Sequence, residues 1–297
     1  MIHWIKAARL RTLPLSLSGI ILGSLIAKYE GFWSWNIFLS ACITTILFQI
    51  VSNFANDYGD GIKGTDNEER IGPARMIQSG FISQKEMKNA ILFLSSLSII
   101  SAIFLIYLAF GKENIIYSLI FFGLGIASIM AAINYTVGNS AYGYRGLGDV
   151  FVFIFFGLLA VLGTYFLFNH QFNFLLILPA SAIGLLSTAV LNLNNMRDVN
   201  SDRNAEKNTL VVKIGFQKAK KYQTFLIITP FLLLTLYCLL INKIDSLGFL
   251  IFFIPMFFHL KKVANTTEPK TLDSELKKVA LTTFFISLIL GLSLNIF

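Results

Sequence analysis

Helix-length apolar segments recur along the whole of this 297-residue chain. A membrane-spanning helix needs about 20 predominantly apolar residues to cross a hydrocarbon core of about 30 Å. We predict nine such helices, at residues 13–28, 37–55, 89–110, 115–134, 150–168, 174–194, 222–241, 246–260 and 279–296. Charged residues make up 13% of the sequence, against about 25% in soluble domains, and the alternating strands of a membrane barrel do not occur. The sequence therefore predicts an all-α polytopic membrane protein that forms a single domain over residues 1–297.

Lysine and arginine residues concentrate in alternate connections between the predicted helices. With the N-terminus in the cytoplasm, 21 of the 24 basic residues lie on the inner side, and only Lys28, Lys112 and Lys243 lie outside. Cytoplasmic loops of membrane proteins carry such an excess. The net charge of +8 therefore reflects topology and contact with anionic lipid headgroups, and it does not indicate nucleic-acid binding.

The second and sixth predicted helices end in the same sequence pattern. The second ends with Asn53-x-x-x-Asp57 and the sixth with Asn194-x-x-x-Asp198. Because four helices separate the two patterns, both face the same side of the membrane. We interpret this weak repeat as two four-helix pseudo-repeats plus a ninth helix, arranged around a central cavity. A site between the two halves is expected to open to the cytoplasm.

Two long inner loops, at about 56–88 and 195–221, extend these helix ends into acidic clusters. Residues three or four apart share one face of a helix, so each cluster forms a polar stripe if its helix continues. A four-residue step separates successive carboxylates by about 6 Å, and Mg²⁺ commonly takes one or two carboxylates together with water and phosphate oxygens. We therefore predict a Mg²⁺–diphosphate site. Its catalytic, metal-binding acids are Asp57, Asp60, Asp198 and Asp202, and its neutral metal ligands are Asn53 and Asn194.

Further polar and basic residues stand within and beside each acidic cluster. Charged nitrogen donors bind phosphate oxygens strongly, and arginine does so with a two-pronged fork. The residues expected to contact the diphosphate are Asn56, Lys63, Arg75, Arg197, Arg203 and Lys207. Asparagine and aspartate also favour helix ends, so either cluster alone fits a structural role equally well. The two matched clusters together favour metal binding, because an uncompensated acid at membrane depth costs about 2.5–3.5 kcal/mol.

These motifs resemble those of the UbiA superfamily of membrane prenyltransferases, which have nine transmembrane helices and two aspartate-rich motifs. The first motif, Asn-Asp-x-x-Asp-x-x-x-Asp, is matched by the sequence NDYGD at 56–60. Gly64 stands at the position of its third acid, and Asp66 follows two residues later. The second motif, Asp-x-x-x-Asp, is matched by DVNSD at 198–202. The segments RIGPARMIQSGFIS and YGYRGLGDVFVFIFFG resemble the branch that prenylates 1,4-dihydroxy-2-naphthoate for menaquinone synthesis.

The resemblance implies a Mg²⁺-dependent enzyme that transfers a polyprenyl group from polyprenyl diphosphate to 1,4-dihydroxy-2-naphthoate. Carbon dioxide and diphosphate leave, and demethylmenaquinol is formed. The resemblance also makes Asp66 a further metal ligand. It implies a protein of the bacterial inner membrane that contacts lipids and both substrates, without an obligate protein partner. A UbiA-type enzyme with another acceptor, 4-hydroxybenzoate, homogentisate or haem, is the alternative.

The Gly-rich connection between the fourth and fifth predicted helices fits either a flexible linker or part of the substrate site. The residues expected to line an acceptor pocket are Tyr142, Tyr144, Arg145 and Asp149. Asp149 opens the fifth helix and equally fits an N-terminal cap. A polytopic transporter is the alternative from a different class, since internal repeats are typical of transporters. It is less favoured, because its polar residues are expected at the midplane rather than at helix ends on one side.

Overall fold

The computed structural model describes residues 1–65, 72 and 75–296. Within these ranges the chain forms helices and loops without a β-strand, and nine of its helices are long and apolar enough to cross a membrane. They are α1 (Ile2–Tyr29), α2 (Trp35–Ile62), α3 (Gln84–Phe110), α4 (Ile115–Asn134), α5 (Gly148–Asn169), α6 (Phe174–Arg197), α7 (Phe216–Leu240), α8 (Ile244–Asn265) and α9 (Pro269–Ile296). Each corresponds to one predicted helix, so the nine-helix prediction is confirmed.

The two motif loops are shorter than predicted, because helices extend into them. α2 continues to Ile62, and α3 begins directly after Ser83, which forms a capping box that satisfies the free backbone N–H groups of a helix start. Two short helices, Val199–Asn204 and Leu210–Ile214, occupy much of the connection between α6 and α7. The first acidic stripe therefore lies on a helix rather than in a loop.

α1 is interrupted near its beginning. Arg9 has a left-handed backbone conformation with φ 48°, which ends the first helical piece, Ile2–Ala8. A 3₁₀ turn, Leu10–Thr12, then leads into the main helix, Leu13–Tyr29. The break allows the first piece to pack against the end of α2, beside the polar residues of the first stripe.

α6 is the central helix of the bundle. It packs against α5, α7 and α9, while α1 packs against α9. Leu186 and Met196 of α6 are fully buried in one core with Leu226 of α7 and Ile286 of α9. By contrast, most of α4 faces outward, and α4 packs mainly on α2 and α3. The polar end of α6 is thus surrounded by other helices.

The middle of α5, Phe153–Gly163, is a π-helix, a rare conformation that often occurs at functional sites. Gly157 in this segment packs directly on Gly184 of α6. A Cβ atom added at Gly157 would lie 2.5 Å from the Gly184 Cα atom and 2.6 Å from the Ala180 carbonyl oxygen. The two backbones therefore approach as closely as small residues permit, as in other membrane helix pairs.

Substituting Gly157 by alanine forces α5 and α6 apart, and we expect it to lower the free energy of unfolding by about 1–3 kcal/mol. Thermal unfolding of the detergent-solubilised protein measures the effect. Gly163→Ala in the same helix is the control, because the nearest heavy atom to its new Cβ would lie 3.4 Å away. Equal melting temperatures for the two variants would contradict the close backbone contact.

Candidate active site

A cavity of about 990 Å³ runs through the bundle, and its polar end lies at the acidic ends of α2 and α6. Along α2 its lining extends from Asp60 back to Ala41, a rise of roughly 28 Å. Together with scattered serine and threonine residues, apolar side chains from α3, α4 and α5 line much of the remainder: Leu105, Ile106, Phe121, Leu124, Phe155, Phe156, Leu159 and Leu167. The cavity therefore joins a polar end to a largely apolar corridor, and the two together are about as long as a membrane is thick.

The polar end brings both predicted clusters together. The residues that line it include Asn56, Asp57, Asp60, Arg75, Asn194, Arg197 and Lys207. The predicted metal ligands Asp198 and Asp202 are not among the lining residues; each lies behind a basic residue that is, Asp198 beside Arg197 and Asp202 beside Lys207. Four carboxylates of the clusters are each no more than 5% exposed: Asp57, Asp60, Asp198 and Asp202. Buried charges require paired or hydrogen-bonding partners, so the contacts of these acids determine how the site is built.

Asp57 is held by the loop that precedes α3. The backbone N–H of Met76 donates to Asp57 Oδ2 at 3.1 Å, and that of Ile77 donates to Oδ1 at 3.3 Å. Two residues further along α2, a Cβ atom at Gly59 would lie 2.4 Å from Thr136 Oγ1, which itself donates a hydrogen bond to the α2 backbone. The absence of a side chain at Gly59 thus lets the loop after α4 pack against the end of α2.

Asp60 collects three partners from distant parts of the chain. Tyr144 Oη donates to Asp60 Oδ1 at 2.8 Å, and Lys207 Nζ lies 3.4 Å from the same oxygen. Arg75 Nη2 lies 3.6 Å from Asp60 Oδ2. Lys207 Nζ also lies 3.8 Å from Asp202 Oδ1. The Lys207 ammonium therefore lies between an acid of the first cluster and an acid of the second.

Arg197 organises the second cluster. Its guanidinium donates to both carboxylate oxygens of Asp198, from Nε at 2.8 Å and from Nη2 at 2.6 Å. Nη2 also donates to Asn194 Oδ1 at 2.8 Å, and Nη1 donates to Asp273 Oδ1 at 2.6 Å. The Arg197 side chain is fully buried. Arg197 lines the cavity, as a contact with diphosphate would require. Its nitrogen atoms, however, already donate to Asp198, Asp273 and Asn194.

Asn53 has a different place from the one predicted. Its side-chain nitrogen donates to the Ala8 carbonyl oxygen at 2.8 Å and to Thr12 Oγ1 at 3.1 Å. Its side-chain oxygen accepts a hydrogen bond from Gln49 Nε2 at 3.3 Å. The structure therefore places Asn53 as a tie between α1 and α2 rather than as a metal ligand.

Two predicted diphosphate contacts stand at the edge of the site. Lys63 is exposed, and its Nζ atom lies 4.0 Å from the centre of the Tyr144 ring in a cation–π contact. Arg203 is exposed and is not among the residues that line the cavity. Asp66, the predicted additional acid, lies outside the described residues.

Two tyrosines of the loop before α5 have different roles. Tyr142 lines the cavity, and its ring stacks on that of Phe151 with 3.9 Å between centroids. Tyr144, predicted beside it in the acceptor pocket, instead donates to Asp60. Burial raises the pKa of the Tyr144 hydroxyl well above its ordinary value, and the Asp60 carboxylate raises it further. The hydroxyl therefore remains a hydrogen-bond donor at neutral pH.

Arg145 and Asp149 are not among the residues that line the cavity, in contrast to the prediction. Arg145 is exposed, and its guanidinium donates to Ser140 Oγ at 3.3 Å. Gly146, with φ 73°, turns the chain between them. Asp149 is buried in the first turn of α5, beside Tyr222 of α7. Of the four predicted acceptor residues, only Tyr142 reaches the cavity wall.

Sequence reasoning missed basic residues at the cavity mouth. Lys6, Arg9 and Arg11 of α1 and Lys277 of α9 line the cavity, but in the sequence they serve only as indicators of topology. No local pattern shows that the beginnings of α1 and α9 meet at one opening. The one signal in the sequence is that these basic residues stand at the inner ends of apolar helices, on the same side of the membrane as the acidic clusters.

Residues 16–289 match the UbiA prenyltransferase family. The chain belongs to this family. Over 226 residues it is 49% identical to a 1,4-dihydroxy-2-naphthoate octaprenyltransferase of Haemophilus influenzae, a match that covers 75% of this chain and 73% of the relative. Over 234 residues it is 47% identical to a protein of the same description from Escherichia coli, covering 79% and 75%.

Solved structures of other UbiA proteins share the fold. The structure of a UbiA homolog from Aeropyrum pernix aligns with a TM-score of 0.69 at 12% identity, over 96% of this chain and 97% of the other. A UbiA homolog from Archaeoglobus fulgidus, bound to DMAPP and Mg²⁺, aligns with a TM-score of 0.66 at 13% identity, over 97% and 99%. The protein is thus a multi-pass membrane protein of the UbiA fold.

The oxygen donors of this UbiA protein suit Mg²⁺. Among the residues that the structure describes, no three acidic, histidine or cysteine side chains already form a metal-binding group. Mg²⁺ needs only one or two carboxylates when phosphate oxygens complete its shell. The Lys207 ammonium between Asp60 and Asp202 shows that a cation is accommodated between the clusters. The carboxylate oxygens of these acids, and of Asp57 and Asp198 in the same two clusters, are the kind of ligand that Mg²⁺ prefers.

Replacing Asn53 by alanine removes the tie between α1 and α2, and we expect the free energy of unfolding to fall by about 1–3 kcal/mol. The matched variant Asn56→Ala removes a cavity-lining amide whose oxygen accepts one long hydrogen bond, 3.4 Å from Thr136 Oγ1. It is expected to keep the melting temperature and to weaken binding of geranyl diphosphate with Mg²⁺, measured by calorimetry. If Asn53→Ala melted normally but lost ligand binding, Asn53 would belong to the binding site.

Proposed function

We propose that this protein transfers a polyprenyl group from polyprenyl diphosphate to 1,4-dihydroxy-2-naphthoate, with loss of CO₂ and diphosphate, giving demethylmenaquinol. The observation that carries the proposal is the cavity, whose polar end is lined by Asp57 and Asp60 of the first cluster and by Asn194 and Arg197 of the second, and which continues into a largely apolar corridor. A substrate with a diphosphate head and a long apolar chain matches both parts. The descriptions of the relatives from Haemophilus influenzae and Escherichia coli support the naphthoate acceptor.

The acids of the two clusters would hold the cofactor Mg²⁺. Asp57 and Asp60, together with Asp66 beyond the described residues, would hold one ion, and Asp198 and Asp202 another. When bound, Mg²⁺ neutralises the charge that develops on the diphosphate as the allylic carbon–oxygen bond breaks. Tyr144 supports this arrangement by donating to Asp60, which fixes the orientation of that carboxylate.

Basic residues beside the acids would bind the remaining phosphate oxygens. Arg75 and Lys207 pair with Asp60 in this structure. When Asp60 binds a metal ion, both basic side chains would be close enough to the diphosphate to pair with its oxygens instead. Asn56 adds a neutral donor from the cavity wall. Lys63 and Arg203, which are exposed, would attract the anionic head from solution.

The aromatic acceptor would react next to this head group. Tyr142 and Phe151 present stacked rings to the cavity, and aromatic faces attract positive charge such as that on an allylic carbon. A ring carbon of the acceptor bonds to the allylic carbon as the bond to diphosphate breaks. Loss of the carboxyl group as CO₂ returns its bonding electron pair to the ring. This acceptor therefore needs no strong protein base to remove a proton from the reacting carbon.

We further propose that the protein lies in the bacterial inner membrane with its N-terminus and cavity mouth in the cytoplasm. The support is the concentration of basic residues in the inner connections. The mouth itself is lined by four of them: Lys6, Arg9, Arg11 and Lys277. The water-soluble substrate, the naphthoate, would then enter from the cytoplasm, and the water-soluble product, diphosphate, would leave to it.

The purified protein is expected to release CO₂ and diphosphate from octaprenyl diphosphate and 1,4-dihydroxy-2-naphthoate, and to stop when EDTA removes Mg²⁺. Asp57→Asn and Asp198→Asn should each lower turnover by at least about 100-fold while inserting normally into membranes. Asp245→Asn, an exposed acid at the start of α8, serves as the control. Wild-type rates in either active-site variant would refute the metal assignment. Use of 4-hydroxybenzoate, homogentisate or haem in place of the naphthoate would refute the acceptor.

A side chain added inside the corridor should discriminate against long prenyl chains. Gly125 of α4 lines the cavity, and a Cβ atom there would have its nearest neighbour at 3.9 Å, so Gly125→Leu projects into open space. We expect kcat/KM for octaprenyl diphosphate to fall about tenfold relative to geranyl diphosphate, because the longer chain loses its apolar contacts. Gly123→Leu on the same helix is the control, since no atom lies within 4 Å of its Cβ position. An unchanged ratio in Gly125→Leu would place the prenyl chain elsewhere.

A further inference from the structure

We propose that Asp273 is a positioning residue that sets how strongly the second acidic cluster binds metal, although it lies outside both aspartate motifs. The proposal rests on the proposed function, since it concerns the same site. Asp273 is the first residue of the main helical part of α9, Asp273–Ile296. Its Oδ1 atom lies 2.6 Å from Arg197 Nη1. Through this contact the beginning of α9 reaches the end of α6.

Arg197 is one cation placed between two carboxylates. Its Nε and Nη2 atoms are engaged with Asp198, while Nη1 is engaged with Asp273. The guanidinium is fully buried, so removing its carboxylate partners would leave an uncompensated charge, which is strongly destabilising. Arg197 therefore retains at least one acid at all times, and Asp273 is the acid that does not belong to the metal motif.

Metal binding competes with Arg197 for the same atoms. Both oxygens of Asp198 accept hydrogen bonds from Arg197, and these are the oxygens that a metal ion would use. The oxygen of Asn194, the predicted neutral ligand, is also held by Arg197 Nη2. When Asp198 turns toward a metal ion, Asp273 keeps the guanidinium neutralised. Asp273 thus lowers the cost of releasing Asp198.

The start of α9 does not depend on Asp273 for its position. Two residues further on, Glu275 is 2% exposed and accepts hydrogen bonds from His259 Nδ1 at 2.7 Å, Lys262 Nζ at 3.0 Å and Lys278 Nζ at 3.0 Å. The Asp273 side chain, by contrast, is 45% exposed. Glu275 therefore anchors α9 to α8, and loss of the Asp273 carboxylate leaves the helix docked.

Removing this charge has opposite consequences for cations and anions. In Asp273→Asn, the positive charge of Arg197 is balanced by Asp198 alone, so Asp198 is held more firmly and the site repels metal more strongly. We expect Mn²⁺, a probe for Mg²⁺, to bind roughly tenfold more weakly. The loss of one negative charge beside the site should also strengthen binding of inorganic pyrophosphate without metal by roughly threefold. A purely structural role would not produce opposite signs.

The experiment measures Mn²⁺ binding by the loss of the free-ion electron paramagnetic resonance signal, and metal-free pyrophosphate binding by calorimetry. The full-length protein is used in detergent. Asp273→Glu, which keeps the charge, should stay within about twofold of wild type. Glu268→Gln removes an exposed charge five residues earlier and is the matched control. Asp273→Ser removes the same charge with a smaller side chain, should Asp273→Asn fail to fold.

Opposite shifts in the two affinities, with a melting temperature close to wild type, support the proposal. Unchanged Mn²⁺ binding in both Asp273→Asn and Asp273→Ser overturns it, as does a parallel loss of both affinities together with the melting temperature. Wild-type protein that binds no Mn²⁺ overturns the metal site of the proposed function, and this inference with it. If the wild type and both variants bind Mn²⁺ with equal affinity, the metal site of the proposed function stands and this inference alone is overturned.

Discussion

Four carboxylates buried at the ends of α2 and α6 must be neutralised for the bundle to close. Taking ionised groups out of water is costly, and an unpaired buried charge is more costly than a pair. The chain meets this requirement for three of them with its own cations, Lys207 between the clusters and Arg197 within the second, and for Asp57 with two backbone N–H donors. Because Lys207 contacts Asp60 and Asp202 at once, charge pairing also draws the two halves of the bundle toward one cavity.

The same pairing prepares the site for its proposed chemistry. Asp60, Asp198 and Asp202 are each paired with a cation that also suits phosphate oxygens, while Asp57 accepts hydrogen bonds from backbone N–H groups. A metal ion can therefore take the place of the cation beside an acid, and phosphate oxygens can take the place of the acid beside a cation. Most buried charges of the site are therefore paired both in the free protein and when the metal–diphosphate unit is bound. Hydrogen bonds that do not exchange, such as the one from Tyr144 to Asp60, hold the acids in place. The apolar corridor contributes burial of the prenyl chain and excludes water from the reacting carbon.

The sequence predicted those features that follow from local pattern and from the thickness of the membrane. Nine apolar segments predicted nine helices, and the spacing of Asp57 and Asp60 predicted a stripe that the extended α2 confirms. Contacts between distant segments could not be read in the same way. Asn53 is drawn to α1 because the break at Arg9 turns the first helical piece toward it. Asp273 is separated from its partner Arg197 by two membrane helices, α7 and α8, and no spacing rule connects them.

The cavity, from its acids to the far end of its corridor, has a rise along α2 of roughly 28 Å, close to the hydrocarbon thickness of a bilayer. A polyprenyl chain whose extended length exceeds this span cannot be enclosed completely, so part of it remains among the surrounding lipids while the head group reacts. The protein then never extracts its donor from the membrane or releases a product into water. Encounter and departure become two-dimensional diffusion within the bilayer, and only the small, charged species cross into the aqueous phase.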